Sequence, residues 1–177
     1  LEQRNIKDEV ISTGNTTGTI KRNKTGDFVC KLDGSDKKIV IECKYNKKTP
    51  LGGIDKKDVL TKNQDTAWEQ LLEASVNRDA QVAIIVFDRE LVDRTILNFT
   101  DGVGFIPGIG FVVIVESQKN DYSNLFIAYS LARDIAMHSK NVDYKDEMLA
   151  LLVRRILSDI KQLFDIKKLV ENNIKNN

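Results

Sequence analysis

The clearest pattern of apolar and polar positions lies in two strand-sized runs, residues 27–32 and 38–45, on either side of Asp33-Gly34-Ser35-Asp36. Turn chemistry between two such runs predicts a β-hairpin. Upstream, Ile6, Val10 and Ile11 gather on one side of a helical wheel, so residues 4–12 read as a short helix broken by Gly14-Asn15. Residues 16–22, rich in Thr and β-branched side chains, read as a strand, and Lys24-Thr25-Gly26 as a turn. After a loop at 47–53 the period changes. Over residues 55–78, Leu60, Ala67, Trp68, Leu71, Leu72 and Ser75 form one helical stripe, with Asp55 as N-cap. Residues 80–87 (AQVAIIVF) and 111–116 are apolar runs of the kind found in strands buried on both faces. Between them, 88–97 reads as a helical turn or two and 102–110 (GVGFIPGIG) as a glycine-rich loop. The last third is helical: 122–138 is amphipathic, and a long helix from Asp143 spaces Leu149, Val153, Ile156, Ile160, Leu163, Val170 and Ile174 mostly by three and four.

The expected order is helix, three strands, helix, strand, a further strand and two helices. The hairpin makes the second and third strands antiparallel, and a helical crossover lets the fourth lie parallel to its neighbour. That is an α/β fold, a mixed central β-sheet flanked by helices. Residues 1–118 form the core. Residues 119–177 are C-terminal helices that pack on it or mediate dimerisation, within a single domain overall.

Composition narrows the class. The chain has 177 residues, 41% hydrophobic and 30% charged, which suits one globular domain and not a disordered segment. Its apolar runs fall far short of the roughly 18 residues of a membrane-spanning helix. No secretory signal is visible, so a reducing cytoplasm is expected; Leu1 at the start leaves open a trimmed precursor or one domain of a longer protein. Cys30 and Cys43 are too few for a disulfide framework and lie in strand-like runs, as buried free thiols do. Net charge is only +1, but residues 21–62 hold twelve Lys or Arg against six Asp or Glu. Such a local excess can hold a phosphate backbone, although a solvated lysine-rich surface carries the same signature.

The candidate chemistry sits on the hairpin. In residues 39–44, alternation sends Ile39, Ile41 and Cys43 to one face and Val40, Glu42 and Lys44 to the other. Charges on a strand otherwise fit for burial need a partner or a metal. With a turn near 33–37, Asp27 comes beside Glu42 or within a residue of it. Two carboxylates across a hairpin repel, and a divalent cation converts that repulsion into coordination. Oxygen ligands in a partly open site suit Mg²⁺, which keeps several waters and accepts substrate phosphate oxygens.

Gly26-Asp27, followed fifteen positions later by Glu42-Cys43-Lys44 at the end of an apolar strand, resembles the PD-(D/E)XK nuclease superfamily, the restriction endonuclease-like fold. The element order over roughly residues 1–90 is similar to that superfamily's αβββαβ core. Glycine stands where the motif's proline would be. The resemblance implies a metal-dependent endonuclease that hydrolyses phosphodiester bonds of DNA. Asp27 and Glu42 are then ligands of Mg²⁺ (Mn²⁺ substituting), with the Cys43 carbonyl as a third. Lys44 orients or activates the attacking water and helps neutralise the transition-state phosphate. An acidic residue from the first helix would be Glu9, with Asp8 a weaker competitor. On the crossover helix, Gln64 falls inside the apolar stripe whereas Gln70 points away, which makes Gln64 the candidate beside the site; Lys62 is a further phosphate-reaching candidate. His138, the single histidine, and Trp68 read as structural. The rival readings are a non-catalytic nucleic-acid-binding module and a dimerising assembly domain built on the long helix. A homodimer would suit cutting of both strands, and RNA remains open as substrate.

Overall fold

The computed structural model describes residues 6–20, 23–45, 49–52, 66–138 and 146–175. Six strands form one sheet in the order β1-β2-β3-β4-β6-β5. β1 (Glu9–Ser12), β2 (Phe28–Lys31) and β3 (Lys38–Lys44) are an antiparallel meander. α1 (Ala67–Arg78) leads to β4 (Val82–Asp88), which lies parallel to β3. α2 (Arg94–Phe99) precedes β5 (Val103–Ile106), and β6 (Gly110–Val115) inserts between β5 and β4, parallel to β4 and antiparallel to β5. A single 3₁₀ turn (Ser117–Lys119) is followed by α3 (Ser123–His138) and α4 (Asp146–Lys175). The expected α/β class with a mixed, helix-flanked sheet is what the chain adopts. Among the described residues no helix is long and apolar enough to cross a membrane.

Period-2 alternation divides the core between the two faces. One face carries Cys30, Ile39, Ile84, Val86, Phe111 and Val113 under α3 and the buried Val153 of α4. The other carries Val29, Val40, Ala83, Ile85, Phe87 and Val112 beneath α1 and Ile96 of α2. All seven residues of β4 are buried, as a central strand covered by helices on both sides requires. The described part of α1 starts at a capping box: Thr66 accepts from the Glu69 N–H while the Glu69 side chain reaches back to the Thr66 N–H. The expected cap at Asp55 lies outside the described residues.

Four expectations fail, each for a physical reason. Residues 9–12 are strand β1, not part of a helix; they pair with β2, and this tertiary pairing overrides a local spacing that only mimics a helical turn. Residues 16–20 are loop, because the Arg78 guanidinium and the carbonyl and side-chain oxygens of Asn77 take up the Thr16 carbonyl and the Thr19 and Ile20 N–H groups that a strand partner would otherwise satisfy. The glycine-rich run contains β5 and a turn: Gly104 gives room to the Phe99 ring and Gly110 lies against the Ala83 carbonyl, so these glycines permit close approach within a sheet. In α1 the inward face is Ala67, Gln70, Leu71, Ala74, Asn77 and Arg78, with Leu72 41% exposed. Gln70 therefore points in, contrary to the expected stripe.

Candidate active site

The β2–β3 register fixes the central pair. Phe28 is opposite Ile41, and the Asp27 N–H donates to the Ile41 carbonyl at 2.9 Å, so one step beyond the last paired residue sets Asp27 opposite Glu42. Both carboxylates are anchored by backbone across the hairpin. Asp27 Oδ2 accepts from the Cys43 N–H at 2.8 Å, and Glu42 Oε2 accepts from the Gly26 N–H at 2.7 Å. Glu42 Oε1 holds Lys44 Nζ at 2.6 Å, and these two side chains are only 8% and 18% exposed. By alternation from Val40, both lie on the α1 face of the sheet. The structure thus brings Asp27, Glu42, Cys43 and Lys44 together.

It does not bring Glu9 to them. Glu9 is opposite Lys31 on edge strand β1 and forms a solvent-exposed ion pair with it at 3.2 Å. Lys31 is four residues along β2 from Asp27, a separation of about 13 Å at strand rise. The cause is the change of element: a strand at 9–12 carries Glu9 to the far end of the meander. Asp8 is committed elsewhere, to Tyr129 at 2.7 Å and Arg133 at 2.9 Å on α3. Gln64 and Lys62 lie outside the described residues.

The loop before β2 is held by residues that nothing near it in the sequence marks. The Arg78 guanidinium, buried at the end of α1, donates to the carbonyl oxygens of Thr13, Thr16, Lys24 and Thr25. Asn77, fully buried, accepts from the Ile20 N–H at 3.0 Å and donates to the Thr25 carbonyl at 2.8 Å. Gly26 is wedged beneath this clasp with φ +96°, where an added Cβ would stand 2.7 Å from Val40 Cγ2 and 2.8 Å from Arg78 Cγ. Proline cannot adopt that φ and has no N–H to give Glu42. Glycine at position 26 is therefore a requirement of the backbone. The only local signal was polar residues closing an amphipathic helix.

The donor set suits a hard cation. Two carboxylates are held by backbone N–H groups, and the Cys43 carbonyl faces the same side of β3 as its N–H. Asp27 Oδ1 lies beside Gly14, where a Cβ would stand 3.0 Å away, so the glycine leaves space at that oxygen. Among the described residues no three His, Cys, Asp or Glu side chains form a metal-holding group. A cation here would take two side-chain ligands, a carbonyl, and water or phosphate oxygens, a composition Mg²⁺ accepts. The residues fit the ion.

Cys43, whose side chain lies on the α3 face of the sheet, has its thiol pushed up to about 12 by burial first and then by the charges of Asp27 and Glu42. Its side chain stays a neutral thiol at physiological pH. No family model, curated protein or solved structure compared with the chain matches it.

Proposed function

We propose that the protein is a Mg²⁺-dependent endodeoxyribonuclease of PD-(D/E)XK type, hydrolysing phosphodiester bonds of DNA. The observation that carries this reading is Asp27 set opposite Glu42 across the hairpin, with Lys44 ion-paired beside them. The antiparallel β1-β2-β3 meander, crossover helix α1 and parallel β4 support it, since they follow the βββαβ part of the restriction endonuclease-like core. The leading helix of that core has no counterpart among the described residues.

Asp27, Glu42 and the Cys43 carbonyl would hold Mg²⁺, or Mn²⁺ in its place. The bound ion would supply positive charge to phosphate oxygens. Lys44, whose ammonium is a mobile donor on a flexible stem, would position the attacking water and offset charge developing on the phosphate. Gly26 and Cys43 contribute their N–H groups, which keep both carboxylates aimed without consuming their second oxygens. Free Cys30 and Cys43 fit a reducing compartment such as the cytoplasm.

The test is cleavage of linear duplex, single-stranded and branched DNA, and of RNA, with Mg²⁺ or Mn²⁺. Wild type is expected to cut DNA only with metal, and Lys44→Ala to cut about 10²–10³-fold more slowly. If both behave alike and neither shows metal-dependent cutting, the reading fails in favour of a non-catalytic binding module.

A second reading, compatible with the first, is a homodimer formed through α4. Ile156, Leu163, Ile166, Val170 and Ile174 are 42–70% exposed, and the last four follow one another at steps of three, four and four. Deleting residues 166–177 is expected to abolish self-association in sedimentation velocity without altering metal binding. A variant that still dimerises, or a wild type that is monomeric at tens of micromolar, removes this reading.

A further inference from the structure

Lys44 is more than a bystander beside the two carboxylates. Resting on the reading of Asp27 and Glu42 as a cation site, we propose that Lys44 is its resident counter-ion, occupying Glu42 Oε1 until a divalent cation displaces it. Glu42 has one oxygen fixed by the Gly26 N–H, and the oxygen free of backbone contact is the one Lys44 Nζ holds at 2.6 Å. Both side chains are largely withdrawn from water, so neither charge is well solvated without the other.

The hairpin requires such a charge. Asp27 opposite Glu42 places two carboxylates on adjacent strands, an arrangement that repels in the absence of a cation. An ammonium two residues along the same strand supplies that charge from within the chain. A divalent cation offers more charge and several coordination positions where the ammonium offers one charge and three donors.

Loading and activation are therefore linked. An ammonium bound to Glu42 is engaged and poorly placed to donate to water or phosphate. The displacement that admits the metal also frees Lys44, and its tether keeps it within the site. Lys44 is thereby withheld from chemistry until metal is bound, and metal affinity is held below what the two carboxylates alone would give.

The experiment is calorimetric titration of wild type, Lys44→Met, Lys44→Gln, Lys44→Arg, Asp27→Asn and Glu42→Gln with Mn²⁺, alongside thermal melts with and without the ion. Lys44→Met and Lys44→Gln are expected to bind Mn²⁺ about tenfold more tightly than wild type, a change of about 1.4 kcal/mol. Without metal they should melt below wild type, and saturating Mn²⁺ should raise their melting temperature by more. Lys44→Arg, which keeps the charge, should bind no more tightly than wild type. Lys44→Gln retains a hydrogen-bond donor for Glu42 and serves if Lys44→Met does not fold. Equal or weaker binding by a folded, uncharged variant overturns the counter-ion role while leaving the metal site intact, provided Asp27→Asn and Glu42→Gln both weaken binding. If those two substitutions change nothing, or if no protein binds Mn²⁺ at millimolar concentration, the metal-site reading falls and the counter-ion role falls with it.

Discussion

Asp8 and Arg133, 125 residues apart, meet in an ion pair of 2.9 Å whose carboxylate is fully buried. The same carboxylate accepts from the Asp33 N–H and the Tyr129 hydroxyl, both at 2.7 Å. Residue 8 precedes the first strand, so this cluster ties the chain's early segment and the β2–β3 turn to α3.

Burial alone would raise the Asp8 carboxyl, but hydrogen bonds from Arg133, the Asp33 N–H and Tyr129 outweigh it and hold it below the ordinary carboxylate value. The contribution is therefore complete above the unfolded value of about 3.9 and is lost as pH falls through the lower folded value. Asp8→Asn is expected to cost about 3 kcal/mol at neutral pH. Urea unfolding across pH should show the gap between variant and wild type narrowing below about pH 4. A gap independent of pH would mean that shape, not charge, is what the cluster contributes.

At Gly26 the backbone dictates the residue. Gly26→Ala meets both a positive φ and two side chains nearer than 3 Å, and a loss of about 2–4 kcal/mol is expected from strain and overpacking. Gly26→Pro should be worse, because proline cannot adopt the positive φ and also removes the N–H from which Glu42 accepts. Chemical denaturation of both variants checks the order. A proline variant as stable as wild type would contradict it.

Arg78→Ala removes the guanidinium from four backbone carbonyl oxygens at the end of α1, of which those of Thr13 and Thr25 keep a second donor. The expected loss is about 3 kcal/mol, or roughly 6–12 °C in melting temperature for a chain of this size. Lysine should recover only part of it, since three donors on one nitrogen cannot span what a planar five-donor fork spans. Full recovery by Arg78→Lys would show that charge alone suffices.

Burial pushes the Cys30 thiol up to about 11, with the negative charge of Asp8 adding to it, and Cys43 reaches about 12. Because the thiolate is the reactive form, native protein at pH 8 should label with thiol reagents at least about 100-fold more slowly than protein in urea. Rapid labelling of one equivalent in the native state would show that Cys43 is reachable and ionised.

How far the sequence revealed all this depended on whether the cause was local. The Asp33-Gly34-Ser35-Asp36 turn and two-residue alternation suffice to bring Asp27 to within a residue of Glu42 and to put Glu42 and Lys44 on one face, because a hairpin's register follows from its own turn. β1 was hidden because a four-residue edge strand has too little alternation to outweigh a helical-looking spacing. The loop residues 13–20 and 23–26 are hidden more deeply. They are held by Asn77 and Arg78, more than 50 residues from Gly26, and nothing near Gly26 announces them. Gln70 lies outside the apolar stripe because Trp68, Leu72 and Ser75 widen it to one side, whereas the sheet keeps Ala67 and Leu71 and turns the buried face toward Gln70 and Ala74.

The Arg78 clasp also sets a timetable for assembly. Thr13 and Arg78 are separated by 65 positions, so the segment leading into Asp27 is fixed only after the crossover helix has docked. Closing a loop of that length is entropically costly, while the β2–β3 hairpin needs only a short one. During refolding, hairpin contacts should therefore precede a competent carboxylate pair. A chain emerging from the ribosome would carry Asp27 and Glu42 until Arg78, 36 residues beyond Glu42, had also been made.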